Sequence, residues 1–532
     1  MTELDYIKYD ILLKENNFKL WLALKHHRTH KDKKLDFKKN PFQKQMYLDE
    51  SPHQVDKKST QNGKTEYNIV EALSYAIRGL SVFYVLPTDK LVSRFVKNRF
   101  DKSISNTYYY KILERETRII EGKNKIDSIF LKDIGGGTIS FVGSYSSAGF
   151  TEFPADVYII DEVDECNQEN IQMGYERLSA SEYRYTRKVG NPTIPEFGID
   201  YEFNLSDQKH WYIKCGNGAC KHTFTPDFFQ HIVRQVDDDD YIIRDKNYSR
   251  EPDQDINLIC DKCGRPVYRF KDGEWNKHRE SEISGRYISK LFSANTTIKE
   301  MVDRFNKGLT NPTIMQRFYN GDLGLAYIGK GAKITEKMIN DCIRGYKEKT
   351  YSKNPCFAGV DVGSVFNVTI AEEFQGKLKL IAILELTEEK QIIDLFSRYN
   401  IKVMVIDSRP ELRLVRRLKA QKKQIWSCGY LTDNIKDSID LITRNINTDR
   451  TTIMDGVKED IQLENMLFPE NVRVNENFIK QLCAPVRFFK ESKTDPTKEG
   501  RYIWLEGSKQ DHFFHSLVYL KLARKLLLMA KR

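Results

Sequence analysis

The sequence predicts an α/β protein with two sheet-and-helix regions on either side of a cysteine-rich insert. Three observations carry that expectation. Over residues 40–210, flat apolar runs of strand length alternate with apolar positions at helical spacing. The same texture returns from residue 355. Between them, residues 211–270 hold two close cysteine pairs, an acidic run and few long periodic segments. A chain of 532 residues has room for about two to four domains. The expected division is a first α/β region with a basic N-terminal segment (1–210), an insert (211–270), a helical return and linker (271–350) and a second α/β domain (351–532).

Composition narrows the class. Hydrophobic residues are 40% and charged residues 30%, which fits a globular chain and excludes a fibrous or disordered one. No apolar run approaches the ~20 residues that span a bilayer. The N-terminal MTELDYIKYDILLKENN lacks the apolar core of a secretion signal. Lys plus Arg is 85 and Asp plus Glu is 75, a net +10 that permits a polyanionic partner without requiring one. Much of the excess sits in residues 19–40, which hold seven lysines, Arg28 and three histidines. That stretch suits either nucleic-acid contact or a solvated face.

In the first region, VFYVLP (82–87), TISFVG (138–143) and VYIID (157–161) read as strands, and TEYNIVEALSYAIRG (65–79) as a helix. Just before that helix stands KSTQNGKTE (58–66). Its Lys58, Ser59, Thr60, Gln61, Asn62, Gly63, Lys64 and Thr65 match a phosphate loop whose first glycine is replaced by Lys58. The chemistry needs backbone amides around the phosphates, a lysine to reach them and a hydroxyl for Mg²⁺. VYIIDE (157–162) supplies the complementary acids. Asp161 at a strand end suits the Mg²⁺ shell, and Glu162 suits polarising a water. Asn191, in VGNPT (189–193), falls where a γ-phosphate would be sensed. Gln43, in PFQKQ (41–45), offers an amide to an adenine edge. Together these residues predict an ATPase.

In the insert, Cys215-x4-Cys220 and Cys260-x2-Cys263 make two short pairs on knuckle-like turns. Four thiolates of this spacing predict a closed, structural Zn²⁺ site. His222 is the alternative ligand, and the other five cysteines are expected to be buried singly.

In the last region, CFAGVDVG (356–363), NVTIAEE (367–373) and LKLIAILEL (378–386) read as three consecutive strands. A helix (388–400) and a fourth strand, KVMVID (402–407), follow. This is how a ribonuclease H-like fold begins. VRFFKES (486–492) and RYIWLEG (501–507) suit a hairpin around TDPTKEG, and 511–530 a closing helix. Asp361 and Asp407 end neighbouring strands, and Asp511 opens the last helix. Converging carboxylates of this kind can hold two Mg²⁺ or Mn²⁺ ions ~3.5–4 Å apart for phosphodiester hydrolysis.

In this order, the segments resemble the large terminase subunit of tailed bacteriophages, within the subgroup that carries a zinc ribbon. The carrying residues are NPFQKQM (40–46), KSTQNGKTE (58–66), VLPTDK (85–90), VYIIDEVDE (157–165), GNPT (190–193), SDQKHWYIKC (206–215), NGDLGLAYI (320–328) and the acids at 361, 407 and 511. The resemblance spans about residues 40–525. It implies an ATP-driven motor that moves double-stranded DNA through a portal into a procapsid, with Mg²⁺ or Mn²⁺ in a nuclease that cuts concatemers. It also implies a homo-oligomeric ring on the portal protein, a small terminase subunit as partner, no membrane association, and a place in the host cytoplasm. Lys58 suits the family, which often has a basic residue there. Two departures stand out. His515 occupies a place where the family usually has an aspartate, which leaves the third nuclease ligand open among Asp511, His512 and His515. HQVDKK (53–58) is unusually polar for the strand before a phosphate loop. An ATP-dependent helicase or repair nuclease shares both expected sites, and a non-enzymatic zinc-dependent DNA-binding scaffold would carry them as relics.

Overall fold

The computed structural model describes residues 17–113, 127–237, 240–246, 255–431, 437–490, 500–505, 507 and 510–530. Its contacts divide the chain into two compact units, Met1–Gly329 and Lys330–Arg532.

The first unit is organised by a seven-stranded sheet. In chain order its strands are β1 (His53–Lys58), β2 (Ser81–Leu86), β3 (Leu131–Ile134), β4 (Gly137–Gly143), β5 (Val157–Asp161), β6 (Tyr185–Gly190) and β7 (Ile283–Ile288). They lie in the order β7-β1-β6-β5-β2-β4-β3. Every pairing is parallel except β3 with β4. The expected strands and the helix α1 (Lys64–Ile77) are therefore present. β7 falls inside the 271–350 segment that the sequence marks as helical. GRYI reads poorly as a strand from its pattern, because Arg286 interrupts it. Paired against β1, however, that arginine lies directly opposite Asp56.

This pairing also explains the polar strand HQVDKK. Side chains alternate between the two faces of a strand. Gln54 and Asp56 face α1, and Lys57 turns to the other side, where it meets Asp200 at 3.1 Å and the Phe203 ring. Where α1 crosses β7, β1 and β6, the sheet presents a buried ionic cluster beside its apolar core. Arg286 binds Asp56 at 2.6 Å and Gln54 at 2.7 Å. Arg187 of β6 donates to Glu71 of α1 at 2.8 Å, and Lys19 reaches the same carboxylate at 3.1 Å. Lys19 and His27, both from the basic N-terminal stretch, are thus buried structural groups, with His27 3.1 Å from Glu66.

The insert is held by short antiparallel pairs. His210–Lys214 pairs with Gly273–Asn276 and Thr223–Phe224, and Leu258–Ile259 with Pro266–Val267.

The second unit has an eight-stranded sheet: β8 (Ser352–Val362), β9 (Phe366–Phe374), β10 (Lys377–Leu386), β11 (Tyr399–Asp407), β12 (Ile425–Leu431), β13 (Ser438–Asp440), β14 (Asn445–Asp449) and β15 (Met466–Leu467). The spatial order is β13-β14-β12-β11-β8-β9-β10-β15. β8, β9 and β10 form the expected antiparallel meander, and β11 returns parallel to β8 after helix α2 (Glu389–Arg398). Helix α3 (Leu412–Gln421) packs with α2 on one face, against Ala358, Val360 and Ile406. Helix α4 (His512–Ala530) packs on the other, against Phe357, Val403 and Val405. Gly359 makes that contact possible: a Cβ there would overlap the Ser516 carbonyl and the Leu520 amide. The hairpin Val486–Lys490 with Arg501–Leu505 forms as expected, and most of its turn lies outside the described residues. Among the described residues, no helix is long and apolar enough to cross a membrane.

Candidate functional site

β1, β6 and β5 are adjacent and parallel, so their carboxyl ends open side by side. Ligands of open parallel sheets bind at such ends. Lys58 closes β1, Asn191 follows β6 and Glu162 follows β5. The Lys58 amine donates to Asn191 Oδ1 at 3.0 Å and lies 3.2 Å from Glu162 Oε1. Glu162 holds a left-handed backbone, φ +61°, which is unfavourable for a residue with a Cβ and clusters at functional sites. Asp161 is buried and accepts from the Tyr84 hydroxyl at 2.9 Å. Burial, then the neighbouring Glu162 charge, raises its pKa. A buried carboxylate at a strand end beside a second acid has the chemistry of a divalent-cation ligand.

The phosphate loop is braced from three directions. Gly63 has φ +80°, and its bare Cα lets Gln43 close in, whose Nε2 donates to the Asn62 carbonyl at 2.5 Å. Gln43 thus acts on the loop itself. Asn62 donates to Ser59 Oγ at 3.0 Å. The Ser59 amide donates to Ile288 O at 2.7 Å, and the Thr60 amide to Gly321 O at 2.9 Å. Gln61 has a left-handed φ of +59°. Gly63 provides no side-chain cap to α1, so the first amides of that helix face outward as an anion site. Lys64 is the surprise: its amine pairs with Asp56 and lies 3.3 Å from the Tyr67 ring centre. Burial, only partly offset by Asp56, pulls it down to about 8.

Gly321, Gly324 and Asn320 belong to this site although the sequence marks them only as part of a family segment. Gly324 has φ +72°, and a Cβ there would come within 2.7 Å of the Ser59 amide and 2.9 Å of the Ile288 carbonyl. Asn320 O accepts from Asn191 at 3.1 Å. The two glycines in NGDLG were the available signal. A close approach such as that of Gly321 to Thr60, 261 residues apart, is not visible in a linear pattern.

In the insert, the four cysteines converge. Their sulfurs lie within 4.8 Å of one another, with Cys215–Cys263 at 3.7 Å and Cys220–Cys260 at 4.0 Å. A tetrahedron of ~2.3 Å Zn–S bonds has edges of about 3.8 Å, so the set fits that ion. Gly264, at φ +70°, shapes the second knuckle. His222 instead lies 3.0 Å from Asp261.

In the second unit, Val360 pairs with Ile406, so Asp361 and Asp407 come next, side by side on the face toward α4. Burial, together with the Asp361 charge, raises the pKa of Asp407 even though the Arg409 amide donates to it at 3.1 Å. α4 brings its first turn to the same place. His512 Nδ1 lies 2.9 Å from Asp361. His515 bridges Asp511 at 3.4 Å and the Tyr430 hydroxyl at 2.7 Å. Burial opposes the charge on both members of the Asp511–His515 pair, yet their attraction lowers Asp511 and raises His515.

Residues 31–278 match the family model described as phage terminase large subunit gpA, ATPase domain. This segment belongs to the terminase large-subunit ATPase family. The match runs from the basic stretch through the phosphate loop and all four insert cysteines. No curated protein matches the chain. Among solved structures, the large terminase of a thermophilic bacteriophage aligns at 10% identity over 96% of this chain and 98% of its own, with a TM-score of 0.28. The Thermus phage P74-26 large terminase ATPase domain aligns at 10% identity over 59% of this chain and 99% of its own, TM-score 0.33. The manganese-soaked, inhibitor-bound human cytomegalovirus terminase nuclease domain aligns at 9% identity over 36% of this chain and 94% of its own, TM-score 0.22.

Proposed function

We propose that this chain is a terminase large subunit. It hydrolyses ATP to drive double-stranded DNA through a portal into a procapsid, and it cuts concatemeric DNA with a second, metal-dependent site. The observation that carries the reading is the meeting of Lys58, Glu162 and Asn191 at the carboxyl ends of three adjacent parallel strands, beside a braced phosphate loop.

In this reading the amides at the start of α1 bind the phosphates, and Thr65 and Asp161 hold Mg²⁺. The ion, when bound, neutralises charge developing on the transferred phosphoryl group. Glu162 orients and deprotonates the attacking water. Lys64 exchanges Asp56 for phosphate oxygens, and Arg286 keeps Asp56 paired when it does, so no buried carboxylate is left bare. Asn191 joins the water-activating carboxylate to the NGDLG segment through Lys58 and Asn320, which suits it to register loss of the γ-phosphate.

The nuclease reading rests on Asp361 and Asp407, with Asp511, His512 and His515 beside them. The third ligand comes from these three: His512 contacts Asp361 directly, while Asp511 and His515 hold each other. Two ions held there would stabilise attacking and leaving oxygens of a phosphodiester. Cys215, Cys220, Cys260 and Cys263 hold a structural Zn²⁺. Portal protein, small terminase subunit and a ring of copies are the partners this function requires, in the host cytoplasm.

The deciding experiment replaces Lys64 by Ala and Asp361 by Ala separately. Lys64→Ala should abolish ATP hydrolysis and leave Mn²⁺-dependent DNA cutting intact, and Asp361→Ala should do the reverse. ATP turnover at near wild-type rate in Lys64→Ala would overturn the ATPase assignment. Stimulation of ATPase by procapsids rather than by naked DNA alone separates a packaging motor from a repair helicase.

A further inference from the structure

The α3 helix carries a charge pattern that the fold does not explain. Its sequence, LRLVRRLKAQ, buries Leu414, Val415 and Leu418 against the sheet and contains no acid. Arg413, Arg416 and Arg417 recur at the i, i+3, i+4 spacing that defines one helix face, and all three are exposed. Arg417 is drawn to Glu389 at 2.9 Å. Among the described residues, Arg409, Arg413, Arg416 and Lys423 have no carboxylate partner. Arg413 also stands in the first turn of α3, where the helix dipole disfavours a cation. Glu411, at the N-cap, is the acid that precedes it.

The stripe is tied to the candidate nuclease site by the chain itself. β11 ends at Asp407, and α3 starts five residues later. The Arg409 amide donates to the Asp407 carboxylate at 3.1 Å. The cationic end of α3 therefore lies at the same end of the sheet as Asp361 and Asp407. A duplex carries one phosphate charge per ~1.7 Å of its axis. α3 packs on the face of the sheet opposite those acids, so a duplex that meets both lies across this end of the sheet.

We infer that the exposed surface from Arg409, before α3, to Arg416 on its first turns is a docking surface for the phosphate backbone of double-stranded DNA. This rests on the nuclease reading of Asp361 and Asp407 and adds the means by which that site takes hold of its substrate. Guanidinium groups form two parallel hydrogen bonds with phosphate oxygens. Such contacts position a duplex without reading its sequence, as cutting of varied sequence requires. An acidic protein segment is the competing occupant, and the test excludes it or reveals it.

The test uses the full-length chain, a 30-base-pair duplex, and the double variant Arg413→Gln with Arg416→Gln. Both side chains are exposed, so the fold is retained, and an unchanged thermal unfolding transition and circular dichroism spectrum of a 330–532 fragment carrying the same two substitutions, measured beside the wild-type fragment, verify it. Binding is read by fluorescence anisotropy with Ca²⁺, and cutting with Mn²⁺. The variant should bind about tenfold more weakly. Its slope of log affinity against log salt should fall by about 2, since each phosphate contact contributes about 0.9. In cutting, the loss should fall on KM rather than kcat, and Arg413→Lys with Arg416→Lys should recover most of the binding. Unchanged affinity, salt slope and KM in the Gln variant would overturn the inference and leave the stripe to an acidic protein. Wild-type protein that binds the duplex through these arginines but never cuts it would sink the nuclease reading and leave the docking surface standing.

Discussion

At the scale of single residues, two backbone positions define the ATPase site more sharply than its charged groups do. Glu162 accepts a left-handed conformation that costs of order 1 kcal/mol or more, and in return its carboxylate meets Lys58 at the mouth of the sheet. If that cost serves water activation, Glu162→Gln should keep ATP affinity within about twofold and lower turnover at least a hundredfold, since Asp161 and the loop are untouched. Equilibrium nucleotide binding and phosphate release measured on the same protein check this, and lost binding would refute the role. Gly324 is the second position. Its positive φ and its contact with the Ser59 amide leave no room for a methyl group. Gly324→Ala should displace the phosphate loop and raise the KM for ATP at least tenfold. Gly331→Ala is the control. It also has positive φ but nothing within 4 Å of an added Cβ, and it should leave KM near wild type.

At the scale of elements, the informative case is the strand before the phosphate loop. HQVDKK looks wrong for a buried strand, and neither its period nor its composition explains it. The explanation is long-range. Asp56 faces Arg286 across β7, and the neighbouring Glu71 of α1 gathers Arg187 and Lys19. Burial opposes ionisation of Glu71, but those two cations outweigh it and hold the carboxyl at about 2. Because this lies below the ordinary 4.5, the ionised form stabilises the fold at pH above ~4.5. That contribution, about 3 kcal/mol, is lost as pH falls from there through about 2. Glu71→Gln should destabilise the protein by about 3–5 kcal/mol at neutral pH, because it strands two buried cations. Its deficit relative to wild type should shrink as pH is lowered toward 3. Urea midpoints of both proteins between pH 3 and 7 measure it, and a pH-independent gap would count against the charged layer. The apolar strands β2, β5, β8 and β11 were legible because burial on both faces writes itself as a continuous apolar run. β7 was not, and β1 was placed only by its position before the phosphate loop, because each compensates the other's charge across a sequence separation that no local pattern reports. The strand-end positions of Asp161, Asp361 and Asp407 were legible for the same reason, since each closes an apolar run.

At the scale of the whole molecule, sequence texture and folded structure divide the chain differently. Texture suggests a break near 210 and a helical linker over 271–350. The structure carries the first unit to Gly329. Three features beyond the insert belong to that unit's own machinery. β7 pairs with β1 along its full length and supplies Arg286. Ile288 and Gly321 accept the Ser59 and Thr60 amides of the phosphate loop. Asp322 is buried between Lys290 and Arg304, which fixes the NGDLG segment that carries Gly321. A fragment ending at residue 270 would expose one edge of β1 and leave Asp56 without Arg286. It would also remove the carbonyls that hold the loop. A fragment of residues 1–329 keeps all seven strands and the apolar cluster that runs from Phe18 to Leu323. The 1–329 fragment should therefore unfold in a single cooperative transition and hydrolyse ATP with Mg²⁺ within about tenfold of the full chain's unstimulated rate. The 1–270 fragment should show neither a cooperative transition nor hydrolysis. Zinc content gives the discriminating control. Both fragments contain Cys215, Cys220, Cys260 and Cys263, so each should bind about one ion per chain if the insert folds around its own metal. A 1–270 fragment that binds zinc and still hydrolyses ATP would show that β7 and the NGDLG segment are dispensable, and that the break near the insert is the functional one.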